Sequence, residues 1–249
     1  MIPIDEIETE FGPINISKNP ATGALIYQVG GRQQGAVDSN GTSLAYYIHA
    51  IFGLLTQAKG HNILMIGGAG CTLGTMLARA QRKVTIVDVN RESFVVARQH
   101  FGLSNSVICH VAEGELFLRG ATDTYDAVVL DAFHGDHVPS HLKSAQFCGL
   151  VRERLAPGGA FFANILVLND FDDCADRLAK NMKGVWPDVR VLDSVGIRNR
   201  NAIVMAGRVS QLREPDLLIR PEANAKVIKN ELGRLQFRRW KASRFHFGG

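Results

Sequence analysis

Long apolar runs are missing from these 249 residues. No stretch approaches the 18 or more apolar residues that a membrane-spanning helix needs, so no such helix is expected. Paired cysteines are missing as well. The four present, Cys71, Cys109, Cys148 and Cys174, are widely scattered and never spaced CxxC. That argues against a disulfide framework and predicts free thiols in a reducing compartment. The opening residues, MIPIDEIETE, are acidic and lack the basic and apolar regions of a secretory signal, so a cytoplasmic protein is expected. No internal repeat or low-complexity segment occurs. With 46% hydrophobic and 21% charged residues, what remains is an ordinary globular chain, long enough to bury a proper core.

Charge is unevenly spread. The net +4 conceals a local +5 over 209–249, where nine Lys and Arg face four Asp and Glu. The basic, aromatic-dotted stretch NELGRLQFRRWKASRFHFGG can touch nucleic acid or a membrane surface. The plainer expectation is a solvated terminal helix with a frayed end.

From residue 62 the chain alternates. NILMI (62–66), KVTIVD (83–88), SVICHV (106–111), YDAVVLD (125–131) and GAFFANIL (159–166) read as buried strands. Helical stretches near 72–81, 91–100, 113–119, 140–155 and 171–182 separate or follow them. LAPGG (155–159) reads as a helix stop and a turn. The late strands near 188–193 and 201–207 leave no room for a helix between them and predict an antiparallel pair. Strands apolar on both faces, alternating with helices, imply an α/β fold with a mostly parallel sheet covered on both sides. Five such units closed by a hairpin predict a Rossmann-like, seven-stranded sheet of the class I S-adenosylmethionine methyltransferase type. The expected division is a small N-terminal β-hairpin element over 1–50, a catalytic domain over 51–208 and the basic extension over 209–249. A helix is predicted at 43–57.

The chemistry gathers at strand ends. ILMIGGAGCTLG puts Gly67, Gly68 and Gly70 between a strand and a helix, where glycines let a ligand approach backbone amides and the helix dipole. Asp88, about 20 residues on and followed by Val89, ends the next strand, where a carboxylate can take both hydroxyls of a ribose. Glu113 and Gly114 follow the third strand, where an acid can accept from an adenine amino group. Glycine loop and ribose acid alone fit a nicotinamide dinucleotide equally well; the third station favours an S-adenosyl sulfonium. Asp131 opens DAFHGDHVPSH at the carboxyl edge of the sheet. A carboxylate there can orient an ammonium group, accept its proton and steady charge as a sulfonium collapses. His134, His137 and His141 have spacings that can suit a metal, but Gly135 and Pro139 interrupt any helix across them. They are expected on a flap over the cleft without a metal, with His134 or Asp136 lining the acceptor pocket. His49 is expected in a core or interface, and Trp186 and Trp240 are expected to be structural.

These motifs, HVAEGELFL, YDAVVLDAFHGDHVP and LIYQVGGRQQGAVD, resemble those of the polyamine aminopropyltransferase (spermidine synthase) family, particularly its divergent spermidine synthase-like branch. The likeness runs from about residue 24 to 207. It implies that Asp88 binds ribose, Glu113 the adenine edge, and Asp131 the attacking amine, with Gln34 facing the co-substrate. It further implies transfer of an aminopropyl group from decarboxylated S-adenosylmethionine to a polyamine, without a metal, by a homodimer or tetramer. Three departures stand out. The family loop GGGDG is GGAGC here, with Gly70 at its acid. The family's Tyr-Gln pair falls near Ser43 and Leu44. The second acid of the catalytic loop is His134, with Asp136 as its replacement after a lengthened loop. Methyl transfer from intact S-adenosylmethionine, and a non-catalytic nucleotide-binding role through the basic tail, therefore stay open.

Overall fold

The computed structural model describes residues 1–135 and 137–241. Its chain opens with β1 (Ile2–Ile7), β2 (Ile14–Lys18), β3 (Leu25–Val29) and β4 (Arg32–Val37), an antiparallel sheet in sequence order. The predicted hairpin element is thus a complete four-stranded sheet. β1 buries almost nothing; backbone pairing to β2 defines it.

Helix α1 (Tyr46–Gln57) leads into the alternating series: β5 (Asn62–Ile66), α2 (Thr72–Arg79), β6 (Lys83–Asp88), α3 (Arg91–His100), β7 (Ile108–Val111), α4 (Gly114–Gly120), β8 (Tyr125–Leu130), α5 (Ala145–Arg154), β9 (Leu155–Val167) and α6 (Cys174–Lys183). Then come β10 (Val189–Asp193), β11 (Arg200–Gly207), α7 (Ala225–Leu232) and β12 (Gln236–Arg238). The large sheet has the order β12-β10-β11-β9-β8-β5-β6-β7. From β9 through β8 and β5 to β7 it is parallel, and β11, β10 and β12 extend it antiparallel.

Alternation along the strands explains the layering. Ile63, Met65, Val129 and Phe162 share one core with residues of α1, α2 and α7. Their neighbours Leu64, Ile66, Val128, Leu130 and Phe161 share the other with α4, α5 and α6. Each strand feeds both faces, as a doubly covered parallel sheet requires. A third, smaller core docks the N-terminal sheet: Ile14, Ile16, Tyr27 and Val37 meet Val96 and Phe101, and the Tyr27 hydroxyl bonds Ser93 Oγ at 2.9 Å.

Two local readings differ from expectation. LAPGG does not form a turn: α5 ends at Arg154 and β9 starts at Leu155. The early part of β9 runs along β8 with a register irregularity between Tyr125 and Ala127, and such an irregularity is where a strand tolerates Pro and Gly. The basic extension is also no frayed end through residue 241. Val209, Leu212, Ile228, Leu232 and Leu235 are buried in the first core, and β12 becomes an eighth strand of the sheet, beyond the seven expected. Arg238 of β12 holds Asp193 Oδ2 at 2.8 Å and Asp176 through both of its oxygens. Its charge is spent inside the fold.

Candidate active site

β5 lies between β6 and β8, so the connections after β5 and β8 part in opposite directions. A crevice forms at such a point beyond the carboxyl ends of the strands. Here it is a cleft of about 980 Å³ between the sheet tips and the N-terminal sheet.

Its floor is the loop after β5. Gly67 sits at φ +85°, and a Cβ there would come within 2.5 Å of Ala132 Cα and the Asp131 carbonyl. The loop needs glycine because the 131–132 backbone passes directly over it. Gly68 lines the cleft and donates its N–H to Asp88 Oδ2 at 2.8 Å. Gly70 does not reach the cleft wall. It is buried against Tyr27 and Phe101, with ordinary contact distances of 3.6 Å for an added Cβ. The left-handed conformations on either side belong to Ala69 and Cys71.

Asp88, at the end of β6, accepts from Gly68 with one oxygen and from the Asn90 N–H at 2.8 Å with the other. Burial pushes its carboxyl above the ordinary value, against the pull of those amides. Asp88 itself lines the cleft. Val89 stands beside it, exposed on the cleft.

Glu113 and Gly114, just past β7, line the cleft as well. Glu113 caps α4, accepting from the Leu116 N–H at 2.9 Å, and its other oxygen meets His141 Nε2 at 3.0 Å. Burial works to raise its carboxyl, but the α4 amides and His141 outweigh it and hold Glu113 below its ordinary value. Gly114 is there for packing: a Cβ would fall 2.4 Å from Ile66 Cγ2.

Asp131 follows β8 directly, its N–H donating to the Ile66 carbonyl at 2.9 Å. It lines the cleft beside the glycine loop. Burial pushes its carboxyl up to about 6, opposed by one hydrogen bond from Asn164 Nδ2 to Oδ1 at 2.8 Å. In the loop beyond, His134 and His137 form a two-residue antiparallel bridge around Gly135 at φ +62°. His134 lines the cleft and is exposed; Gln34 of β4 lines it from the N-terminal sheet. Asp136 lies outside the described residues. Among the described residues, no three His, Cys, Asp or Glu side chains gather as a metal site.

Several cleft residues carry no sequence motif. Tyr47, at the start of α1, lines the cleft, and burial, then the Asp131 charge, hold its phenol well above the ordinary value. Tyr46 touches Asn201, and Asn164 and Asn201 line the cleft too. One signal was available: Asn164 is a polar residue in the middle of the apolar run FFANILV. His49 is buried, with its Nε2 2.7 Å from the Ser43 carbonyl, while Leu44 reaches the cleft. Trp186 is buried in the second core and Trp240 packs against it.

No family model matches the sequence. A polyamine aminopropyltransferase of Vibrio vulnificus is 22% identical over 191 residues, covering 74% of this chain and 62% of that protein. The likeness therefore spans under two thirds of that relative's length. Among solved structures, a probable spermidine synthase from Corynebacterium glutamicum superposes with a TM-score of 0.77 at 22% identity, over 95% of this chain and 90% of that one. A spermidine synthase solved with the transition-state analogue AdoDATO gives 0.68 at 17% identity, over 93% and 88%. The chain is thus similar in sequence to polyamine aminopropyltransferases, and its fold is that of the solved spermidine synthases.

Proposed function

We propose that the chain is an aminopropyltransferase, moving the aminopropyl group of decarboxylated S-adenosylmethionine onto an amine of the polyamine class. The observation that carries this reading is Asp131: a carboxylate pushed up to about 6, at the tip of the central strands, facing a cleft that begins at the glycine loop. A volume of about 980 Å³ is at the upper end of what small-molecule sites need. Gly67 and Gly68 leave the backbone bare at the floor, Asp88 suits the ribose hydroxyls, and Glu113 with Gly114 suits the adenine edge. Val89 and Gln34 flank that nucleoside site. The transfer calls for no metal.

The chemistry asked of Asp131 is modest. An alkylamine has a pKa of roughly 10.4 and arrives protonated. Asp131 draws the ammonium to the cleft and takes a proton from nitrogen. The nitrogen lone pair then bonds the methylene next to sulfur, the carbon–sulfur bond breaks, and its electron pair stays on sulfur. The products are the aminopropylated amine and methylthioadenosine. His134 at the rim, with Asp136 beyond the described residues, is assigned to the acceptor side. The family resemblance leads us to expect two or four associated copies.

Calorimetric titration with decarboxylated and intact S-adenosylmethionine tests the assignment. The decarboxylated form is expected to bind more tightly. Tighter binding of the intact form, with methylated products, would make the chain a methyltransferase instead.

A further inference from the structure

We propose that Asn164 is the positioning residue of this site: a buried amide, clamped in turn by Asn201, that holds Asp131 as an oriented carboxylate. The inference rests on the catalytic reading of Asp131 given above, but its geometry does not.

The sheet register builds the arrangement. β8 and β9 run parallel with Leu130 opposite Ala163, so the next residues outward are Asp131 and Asn164. β9 and β11 pair Leu166 with Asn201 and Asn164 with Ile203, which sets Asn164 and Asn201 diagonally on one face, within side-chain reach. The resulting line is continuous. Asn164 Nδ2 donates to Asp131 Oδ1 at 2.8 Å, and Asn201 Nδ2 donates to Asn164 Oδ1 at 2.9 Å. The Asn201 peptide is bracketed by the Tyr46 hydroxyl, which accepts its N–H at 2.8 Å and donates to its carbonyl at 3.3 Å.

The line has one permitted direction. An ionised carboxylate only accepts, so Asn164 must turn its NH₂ toward Asp131. Its oxygen then faces Asn201, which must present its own NH₂. Asn164 is completely buried in the middle of β9, where an unpaired amide would be costly, so both of its ends are committed. Protonating Asp131 removes the reason for this direction. The charge-assisted bond from Asn164, held in direction by Asn201, therefore favours the ionised base and fixes Oδ1, leaving the second oxygen of Asp131 for the acceptor. Other charged or titratable groups share the cleft: Tyr27 on β3, Arg32 on β4, Tyr47 on α1, Asp88 at the end of β6, Glu113 before α4, and His134 and His141 in the loop beyond β8. Asn164 holds Asp131 by a direct bond at 2.8 Å.

The test reads Asp131 without relying on turnover. Unfolding free energies of the wild type and Asp131→Asn are compared from pH 4 to 9, and the pair is repeated in an Asn164→Ala background. The pH dependence of each difference gives the midpoint of Asp131. In the Asn164→Ala background the midpoint is expected about one pH unit higher, a tenfold gain in proton affinity. In aminopropyl transfer, Asn164→Ala is expected to lower kcat about 10–100-fold, leave KM for the S-adenosyl donor unchanged, and shift the rising limb of the pH profile by the same unit. If Asn164→Ala does not fold, Asn201→Ala supplies the same readouts with smaller shifts in the same direction. Coincident midpoints in the two backgrounds would overturn the proposal, as would equal changes in kcat and KM with an unmoved pH profile. A wild type that transfers nothing would defeat the functional reading alone, because the midpoints still decide the role of Asn164.

Discussion

Asp131 is costlier to ionise in the folded chain than in the unfolded one. Its folded value of about 6 stands about two units above an ordinary carboxylate. The contribution to stability is therefore fully present below about pH 4 and is lost as pH rises through about 6. Asp131→Asn is expected to fold, to unfold up to about 3 kcal/mol less readily than the wild type at pH 8, and to match it near pH 4. Its transfer rate is expected to fall about 10²–10⁴-fold. Urea titrations at the two pH values and a turnover assay check both halves. His49 gives the opposite sign. Burial holds its imidazole below the ordinary value, against the Ser43 carbonyl bond, so the unfolded chain binds its proton more readily. Stability is expected to fall as pH drops below about 6.5, and His49→Leu should flatten that slope in melts between pH 5 and 7. At this scale the sequence was legible where a residue type had a chemical reason to stand at a strand end, as with Asp88 and Asp131. Asn164, Asn201 and Tyr46 were not, because their pairing depends on strand register and crosses 37 and 155 residues of chain.

The elements hold the site through close backbone approaches and one ion network. Gly67 has no room for a methyl group: its Cβ would meet the backbone of Ala132 at 2.5 Å, at a φ of +85°. Gly67→Ala is expected to cost roughly 3 kcal/mol and to displace Asp131, abolishing nucleoside binding. Gly114→Ala, which would drive a methyl into Ile66, is expected to loosen the Glu113 end alone. Binding of methylthioadenosine and an unfolding curve separate the two. The period-2 and continuous apolar patterns revealed β5, β6, β8 and β9 because those strands are buried on both faces. β1 and β12 escaped notice for the reverse reason: one buries almost nothing and the other is three residues long. Pairing to β10, packing of Phe237 and charge together fix β12. Arg238 reaches Asp193, fully buried and shared with Arg200, and Asp176 of α6. Arg238→Ala leaves Asp176 without that partner and is expected to cost about 2 kcal/mol in urea.

At the scale of the whole molecule, the local +5 of residues 209–249 is in part structural. Through residue 241 this stretch covers one core and closes the sheet, so deleting 236–249 is expected to destabilise the protein rather than merely remove a charged arm. A nucleic-acid affinity that disappears on deletion with stability intact, and that falls steeply with salt, would instead make the segment a binding arm. The fold was legible as alternation, and the cleft as the place where that alternation leaves strand ends bare. The proposed acceptor side was less so, because Leu44, Tyr47, Asn201 and the loop at His134 reach the cleft from distant parts of the chain. Methylthioadenosine at a hundred times its Kd is expected to stabilise the fold by about 2.7 kcal/mol, which raises Tm by roughly 5–10 °C. The most direct measurement is mass spectrometry of the products after the protein meets decarboxylated or intact S-adenosylmethionine with a panel of amines. The account predicts methylthioadenosine and an amine one aminopropyl group heavier, from the decarboxylated donor alone, with neither formed by Asp131→Asn. A methylated acceptor with S-adenosylhomocysteine, or undiminished transfer by Asp131→Asn, would contradict it.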